Sequence, residues 1–298
     1  MALAVNRNNH IFAGMGYPEF GVFRSFDNGD HWDKVFASDQ TWFESMAINS
    51  EGDVFVGGSE GVLRSEDNGD TWVHVNHGLE VNSVVGLVLD GTERIYAGVR
   101  SSVFRSADNG DSWAEIFRID DSWVYDIAFD SKGHIFIGTA NAGVVRSKDD
   151  GETWENVTSN LRHGWVRSFV VNSRDYLYAG TSGAVSRSLD GGDTWMDVAS
   201  GLPEIADIQI LMLNADEEIL AGTYGYGVYR SILSTVNPKG DVNSDGLVNI
   251  LDVIRGVNII LERVNAPTRA DLWLSDLDTD GEITVQDMLL IIQMVLQG

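Results

Sequence analysis

The chain has 298 residues, of which 45 are acidic and 20 are basic, so its formal net charge at pH 7 is −25. Nucleic-acid binders present clustered Lys and Arg, and anionic membranes attract the same groups, so this charge argues against both partners. Cysteine is absent, which excludes disulfides, thiolate metal sites and a cysteine nucleophile. No apolar run reaches the roughly 18 residues that would predict a membrane-spanning helix.

From its first residues the chain repeats a pattern of four short alternating segments, each typical of a β-strand. The repeat is clearest at the motif SEDNGDTW, Ser65 to Trp72, which has related versions at 25–32, 106–113, 147–154 and 188–195. The serines that open the five versions are 40 or 41 residues apart. A fixed period of about 40 residues is typical of architectures in which each unit packs against its neighbours.

Each version of the motif predicts a hairpin. An apolar run that ends in Arg-Ser precedes the turn, as in GVLRS at 61–65, and a Trp with a few alternating residues comes after it, as in TWVHV at 71–75. The intervening Asp-Asn-Gly composition accepts positive φ in a tight turn. The Asp can accept hydrogen bonds from its own turn, and the Trp supplies a large apolar surface that should fix the hairpin to its own unit.

This motif resembles the Asp-box, S-x-D-x-G-x-T-W, of sialidases, xyloglucanases and sortilin-type receptors. In those families the box lies on the outer hairpin of each β-propeller blade, away from the central cleft. The resemblance therefore implies a propeller in which the Asp, Gly and Trp of each box are structural. Because a fold does not define an activity, it leaves the function open.

A sixth unit begins at 208–214 and ends after 227–231, without a box or a fourth strand. We predict a mainly β protein with a six-unit β-propeller over residues 1–231. A ring normally closes when one terminus completes the last blade, but the first residues here enter the first strand directly. Either the last blade is three-stranded or the chain is a piece of a larger ring, and we favour the piece. The first residues also lack the basic start and apolar core of a signal peptide.

Residues 232–239 read as a linker, and residues 240–298 change character. Two segments there place acidic and amide side chains at the ligand positions of EF-hand loops, with Gly at position six, and each runs into an apolar helix. Calcium takes six to eight oxygen ligands, which this alternation supplies. The predicted ligands of two Ca²⁺ ions are Asp241, Asn243, Asp245, Leu247, Asn249 and Asp252 in the first loop, and Asp276, Asp278, Asp280, Glu282, Thr284 and Asp287 in the second.

The paired loop–helix segments resemble a type I dockerin, a small α-helical, EF-hand-like domain that binds a cohesin-type domain. The resemblance implies that calcium orders the helices and that loop positions 10 and 11 contact the partner. Those residues are Ile250, Leu251, Val285 and Gln286. The alternative for Ile250 and Leu251 is a place in the helix core. The basic pair often found further along the helix is missing, so the two halves are unequal.

Three tryptophans, Trp42, Trp123 and Trp165, occupy one repeat position, seven residues before the Asn or Asp that ends the first strand of a unit. That position should lie where propellers bind ligands, and an arc of aromatic rings there could stack on sugars. Tyr125 and Arg167 are the neighbouring candidates. The alternative is that the rings only cover the blade tops.

Two functions remain. The first is a secreted or cell-surface-attached, calcium-binding protein whose non-catalytic propeller binds a polysaccharide or a protein, and whose dockerin attaches it to a cohesin-bearing scaffold. The second is a glycoside hydrolase of the xyloglucanase or sialidase type, which would need two carboxylates across the scissile bond. The acids available on that side are Asp39, Glu44, Asp120, Asp121 and Asp126. The Arg-Ile-Pro motif of sialidases is absent, so we favour the binding protein.

Overall fold

The computed structural model describes residues 2–79, 83–161, 163–199, 201–203, 205–215, 217–231, 240–242, 248–261, 275–277 and 282–297. The chain divides into two compact units. One comprises Met1–Val171, Asp175–Leu211 and Gly222–Gly227, and the other comprises Asn172–Arg174, Met212–Ala221 and Val228–Gly298. The boundaries predicted from the sequence, 1–231, 232–239 and 240–298, stay predictions.

The described strands follow the predicted repeat. They are β1 (Ala2–Val5), β2 (Ile11–Met15), β3 (Gly21–Ser25), β4 (Asp33–Ala37), β5 (Phe43–Ile48), β6 (Val54–Gly58), β7 (Gly61–Ser65), β8 (Val73–His74), β9 (Gly86–Leu89), β10 (Ile95–Val99), β11 (Ser102–Ser106), β12 (Ala114–Arg118), β13 (Val124–Phe129), β14 (Ile135–Thr139), β15 (Val144–Ser147), β16 (Glu155–Asn156), β17 (Val166–Val171), β18 (Leu177–Thr181), β19 (Ala184–Ser188), β20 (Met196–Asp197), β21 (Ile208–Leu213), β22 (Ile219–Thr223) and β23 (Gly227–Arg230).

Every described sheet is built from strands that are consecutive in the chain. Sheets one to five each contain four strands, β1–β4, β5–β8, β9–β12, β13–β16 and β17–β20, and sheet six contains β21–β23. Neighbouring strands in sheets one to five are antiparallel, as in the pairing of Val56 with Leu63. The mainly β, six-unit architecture is confirmed, and the sixth unit has no fourth strand among the described residues.

The box turns fold through hydrogen bonds within a few residues. In the second box the Ser65 hydroxyl donates to Asp67 Oδ1 over 2.8 Å and accepts from the Gly69 amide over 2.8 Å. Asp67 also accepts from both the hydroxyl and the amide of Thr71, and these bonds lower the pKa of Asp67. Asn68 and Gly69 have φ of 60° and 91°, which confirms the predicted positive-φ turn. Because the bonds are local, each box can form this turn by itself.

In some boxes the indole N–H of the Trp donates a hydrogen bond to the preceding unit. Trp113 Nε1 donates to the carbonyl of Val75 over 2.7 Å, and Trp195 Nε1 donates to that of Val157 over 2.8 Å, both 38 residues earlier in the chain. The expectation that the Trp fixes the hairpin to its own unit is therefore wrong for these boxes. Their indole N–H is buried and finds an acceptor only on the preceding unit.

The Arg before each of the first four boxes makes the opposite link, to the following unit. Arg24 and Arg64 donate to Asp70 and Asp111 over 2.7 and 2.8 Å, and each also reaches a turn carbonyl of the next box. Arg146 is 2% exposed and donates to the carbonyl of Gly191 and to Asp193. A buried guanidinium needs such charge-assisted bonds, so these contacts hold consecutive units in register.

Apolar clusters lie between neighbouring sheets. Phe55 of sheet two packs with Leu87 of sheet three, and Phe136 of sheet four packs with Phe169 of sheet five. In β14, Ile137 belongs to the cluster shared with sheet three, whereas Phe136 belongs to the one shared with sheet five, which confirms the predicted alternation. Glycine permits the close approach, because a Cβ on Gly57 would lie 2.7 Å from Val84 Cγ1.

Among the described residues that follow the strands are two helices, α1 (Ile250–Ile260) and α2 (Val285–Gln297). Asn249 caps α1, and its side chain accepts from the Leu251 amide while the Asp252 side chain accepts from the Asn249 amide, which forms a capping box. Val253 and Ile259 pack with Met288 and Ile291 in one apolar cluster. Neither helix, nor any other described helical residue, forms a segment long and apolar enough to cross a membrane.

Candidate functional sites

The first candidate site is the predicted pair of calcium loops. The structure describes seven of the twelve predicted ligands, and the other five lie outside the described residues. The described ligands are Asp241, Asn249, Asp252, Asp276, Glu282, Thr284 and Asp287, and those outside are Asn243, Asp245, Leu247, Asp278 and Asp280.

The ends of the two loops have matching geometry. The amide of Asn249 donates to Asp252 Oδ2 over 2.7 Å in the first loop, and the amide of Thr284 donates to Asp287 Oδ2 over 2.8 Å in the second. Asp287 Oδ1 also accepts from the Leu277 amide over 2.7 Å. Positions 9 and 12 are thus tied together in the same way in both loops, which orients the position-12 carboxylate at the start of each helix.

The donor set fits calcium. Asp241, Asp252 and Asp287 have no exposed surface, and removing carboxylates from water is unfavourable unless cations or hydrogen-bond donors compensate. Carboxylate, amide and hydroxyl oxygens are the ligands that Ca²⁺ prefers. Within the described ranges no three acidic or histidine side chains converge on one point. The ligands predicted for positions 3 and 5 of both loops lie outside those ranges, whereas Asp241 and Asp276, at position 1 of each loop, lie within them. Asp241, Asn249 and Asp252 would hold one ion, and Asp276, Glu282, Thr284 and Asp287 would contribute to a second.

The predicted partner-binding residues are exposed. Ile250, Leu251 and Val285 are each more than half exposed, and Gln286 is exposed beside them. The helix-core alternative for Ile250 and Leu251 requires burial, which these side chains do not show. Further apolar residues are exposed on the same helices, among them Ile254 on α1 and Leu289 on α2. Exposed apolar surface of this kind on a small domain is typical of a protein-binding face.

The second candidate site is the tryptophan position. Trp42, Trp123 and Trp165 are each about half exposed. The structure brings Trp165, Arg167 and Tyr125 together, because the Arg167 guanidinium lies 5.2 Å from the ring centre of Tyr125 and 5.5 Å from that of Trp165. A cation within about 6 Å of two aromatic faces is attracted to both and holds the rings in place.

Polar groups surround this stack. Trp165 Nε1 donates to Asn141 Oδ1 over 3.2 Å, and the Asn141 amide donates to Ser122 Oγ in the loop that carries Trp123. Arg167 Nε lies 3.4 Å from Asp207 Oδ1. The site therefore combines aromatic faces with an amide, a guanidinium and a carboxylate, which are the groups that bind sugar rings and hydroxyls.

Trp42 belongs to a different aromatic group. Its ring packs edge-on against Phe20 with 5.8 Å between centroids, and Phe20 in turn packs against Tyr17 at 6.3 Å. The three tryptophans of the predicted arc thus share a repeat position, but the described contacts unite only Trp165 with the Tyr125 and Arg167 candidates.

Sequence reasoning missed Asp207 and Asn141. Asp207 stands seven residues before Asn214, so it occupies the same repeat position as the three tryptophans, and this spacing could have identified it. Its carboxylate accepts from Ser182 Oγ and from Gln209 Nε2, each over 2.8 Å, and is therefore held in place. Asn141 has no comparable signal, because its role depends on its contacts with the Trp165 ring and with the loop that carries Trp123.

Among the acids proposed for hydrolysis, Asp126 differs from the rest. Asp39, Glu44, Asp120 and Asp121 are exposed, whereas burial raises the pKa of Asp126 to about 6. A raised pKa is typical of a general acid. However, Asp126 accepts from the amides of Ile127 and Phe169 over 2.9 and 2.7 Å, which is a structural role. Ser45 and Ser168 occupy the same repeat position and accept from the equivalent amides of Leu87 and Leu211.

The model of the dockerin type I domain family matches residues 239–296. No curated protein sequence matches the chain. Among solved structures, the extracellular domain of the putative one component system BT4673 from B. thetaiotaomicron has a TM-score of 0.64 at 14% identity, covering 83% of this chain and 34% of that one. The GH74 xyloglucanase from Xanthomonas campestris has a TM-score of 0.63 at 19% identity, covering 78% and 45%. YCF48 bound to D1 peptide has a TM-score of 0.63 at 16% identity, covering 78% of each chain.

These identities are low, so the structural likeness shows the fold alone. The chain also spans only about a third of the BT4673 chain and under half of the xyloglucanase chain. Type I dockerin domains bind calcium and imply a cohesin partner, and they are typical of extracellular cellulosome components. Residues 239–296 are therefore a type I dockerin domain, and the strands that precede it have the fold of Asp-box β-propellers.

Proposed function

We propose that this protein binds a polysaccharide through its propeller without cleaving it, and that its dockerin domain attaches it to a cohesin-bearing scaffold. The observation that supports polysaccharide binding is the half-exposed Trp165 ring, which is held by Arg167 and Tyr125. A rigid aromatic face bordered by Asn141 and Asp207 suits a sugar ring, whose apolar face stacks and whose hydroxyls form hydrogen bonds.

The similarity to a GH74 xyloglucanase makes xyloglucan the first ligand to test. We expect native electrophoresis in xyloglucan-containing gels to retard the wild type, and Trp165→Ala and Arg167→Ala to remove the retardation. Phe26→Ala is the matched control, because Phe26 is similarly exposed but belongs to the first box turn. Retardation that survives both variants would contradict the proposed site.

The hydrolase alternative makes a different prediction in the same samples. A glycosidase would release reducing sugars from xyloglucan or sialic acid from sialosides, and replacing an essential carboxylate would stop the release. We expect no release from the wild type. Turnover that Asp126→Asn abolishes would replace our proposal with the hydrolase, since Asp126 is the acid whose raised pKa suits that chemistry.

In this proposal, attachment of the dockerin domain to a cohesin depends on two calcium ions and on the exposed residues at the starts of the two helices. We expect a type I cohesin to bind the full chain in calcium and not after chelation. Leu251→Asp should weaken that binding at least tenfold, because it places a charge in an apolar contact. Leu296→Asp, at an exposed position near the end of α2, is the control. Equal binding by both variants would exclude Leu251 from the contact.

A further inference from the structure

Trp123 and Trp165 lie on neighbouring sheets, and one short turn contacts the loops that carry them. Trp123 directly precedes β13 of sheet four, and Trp165 directly precedes β17 of sheet five. The two residues are 56% and 45% exposed. The turn in question, residues 140–143, connects β14 to β15 in sheet four. We call it the bridging turn.

Three hydrogen bonds hold the bridging turn to the loop of Trp123. The amide of Ala140 donates to the carbonyl of Trp123 over 2.8 Å. The amide of Asn141 donates to Ser122 Oγ over 3.1 Å, and Asn141 Nδ2 donates to the carbonyl of Asp121 over 3.0 Å. Two adjacent residues of the turn thus hold three consecutive residues of the loop, which fixes the backbone that carries the Trp123 ring.

Two further hydrogen bonds hold the same turn to the loop of Trp165. The amide of Gly143 donates to the carbonyl of Gly164 over 3.0 Å, and Trp165 Nε1 donates to Asn141 Oδ1 over 3.2 Å. The side chain of Asn141 therefore bonds both loops at once, as a donor to Asp121 and as an acceptor from Trp165. Through this one amide group the position of each tryptophan depends on that of the other.

This pairing of tryptophans is particular to sheets four and five. At the same repeat position sheet three has Ser83 and sheet six has Asp207, so Trp42 of sheet two has no tryptophan on the sheet that follows it. Packed β-sheets lie about 10 Å apart, which is wider than a single sugar ring. A sugar ligand that covers both Trp123 and Trp165 must therefore contain several linked residues.

We propose that Trp123 and Trp165 bind different sugar residues of one polysaccharide strand, and that Asn141 is the positioning residue that fixes the spacing of the two rings. The extended site rests on the proposed function, because it adds the neighbouring sheet to the site of Trp165, Arg167 and Tyr125. A strand held at one ring meets the second ring in an intramolecular step, so the two contacts strengthen binding together. Rings that are already held in place also lose little freedom when the strand binds.

The test measures how the affinity depends on ligand length. Isothermal titration calorimetry with the full-length protein in calcium would use xyloglucan fragments graded by length. A fragment too short to reach both rings should bind at Trp165 alone, and fragments that reach both should bind about tenfold more tightly. Trp123→Ala should remove this difference and leave the affinity for the short fragments unchanged. Phe26→Ala, which replaces a similarly exposed aromatic residue of the first box turn, is the control and should retain the difference.

Asn141→Asp tests the positioning role. The variant keeps an oxygen that can accept from Trp165 Nε1, but it replaces the Nδ2 donor with a second oxygen, so the bond to the Asp121 carbonyl is lost. Asn141 is exposed, so the variant should fold. We expect it to bind short fragments as the wild type does and to lose most of the tenfold preference for long ones. An equal loss at every fragment length would overturn the positioning role.

The same titrations distinguish failure of the extended site from failure of the proposed function. A wild type that binds no xyloglucan fragment of any length would contradict both. Binding that Trp165→Ala removes, but that depends neither on fragment length nor on Trp123, would overturn the extended site and leave the proposed function standing.

Discussion

Replacing Asp126 with serine should stabilise the protein at pH 8 and change its stability little at pH 4. Burial raises the pKa of Asp126 from 3.8 to about 6, so the folded state favours the protonated carboxyl. Below its unfolded-state pKa the carboxyl is protonated in both states and does not destabilise the folded protein. Its destabilising effect develops as the pH rises and is complete once the pH has passed through about 6. At ~1.4 kcal/mol per pKa unit, the shift gives an upper limit of about 3 kcal/mol at pH 8.

Serine should keep the longer-range of the two hydrogen bonds that Asp126 accepts, the one from the Phe169 amide. Ser168 accepts from the Leu211 amide over 3.0 Å at the same repeat position, so serine at position 126 should accept from the Phe169 amide in the same way. Because the side chain retains some contact with solvent, we expect a gain of about 2 kcal/mol at pH 8, below the upper limit.

The assay is urea denaturation of both proteins at pH 4, 6 and 8 with constant calcium, followed by tryptophan fluorescence. Taking the difference between wild type and variant at each pH cancels the titration of the other carboxylates. Asp121→Ser, at an exposed position, is the control for the Asp-to-Ser exchange itself. An Asp126→Ser difference that stays constant from pH 4 to pH 8 would refute the reasoning.

Three further predictions concern the fold and the metal. Ser65→Ala removes the hydroxyl that bonds both Asp67 and the Gly69 amide, and should lower the free energy of unfolding by about 1–2 kcal/mol in urea denaturation; no change would show that the box turn does not need it. Trp113→Phe leaves the Val75 carbonyl without its indole donor and should cost about 1–3 kcal/mol, whereas Trp32→Phe, whose indole bonds only its own turn, should cost less. Chelating calcium should remove the helical circular dichroism of α1 and α2 and preserve the strand signal, and unchanged helicity would contradict the metal assignment.

Local features of this protein can be predicted from its sequence, because they depend on residues a few positions apart. The box turn forms between Ser65 and Thr71, so its motif defines both its hydrogen bonds and its positive φ. The helix start at Asn249 is local in the same sense, since its capping box closes over three residues. Strand alternation and the period of about 40 residues similarly determine six units and their hairpin order.

The links between units depend on the tertiary structure. Trp113 finds its acceptor 38 residues earlier and Arg64 finds Asp111 47 residues later, so the local motif does not reveal either partner. The same holds for Asp126, whose raised pKa arises from burial and whose amide partner, Phe169, is 43 residues away. The motif identifies such a side chain, whereas packing of a neighbouring sheet supplies its partner.

The candidate surfaces divide in the same way. The sequence places tryptophans at one repeat position and oxygen ligands at EF-hand spacing, because both patterns depend only on residue type and position in the chain. Only the folded arrangement puts Arg167 over Tyr125 and Trp165 and leaves Trp42 with Phe20. Exposure, too, is decided by neighbours. Val228 and Val62 belong to the same repeat pattern, yet Val62 is buried in the cluster between sheets two and three, whereas Val228 is 74% exposed.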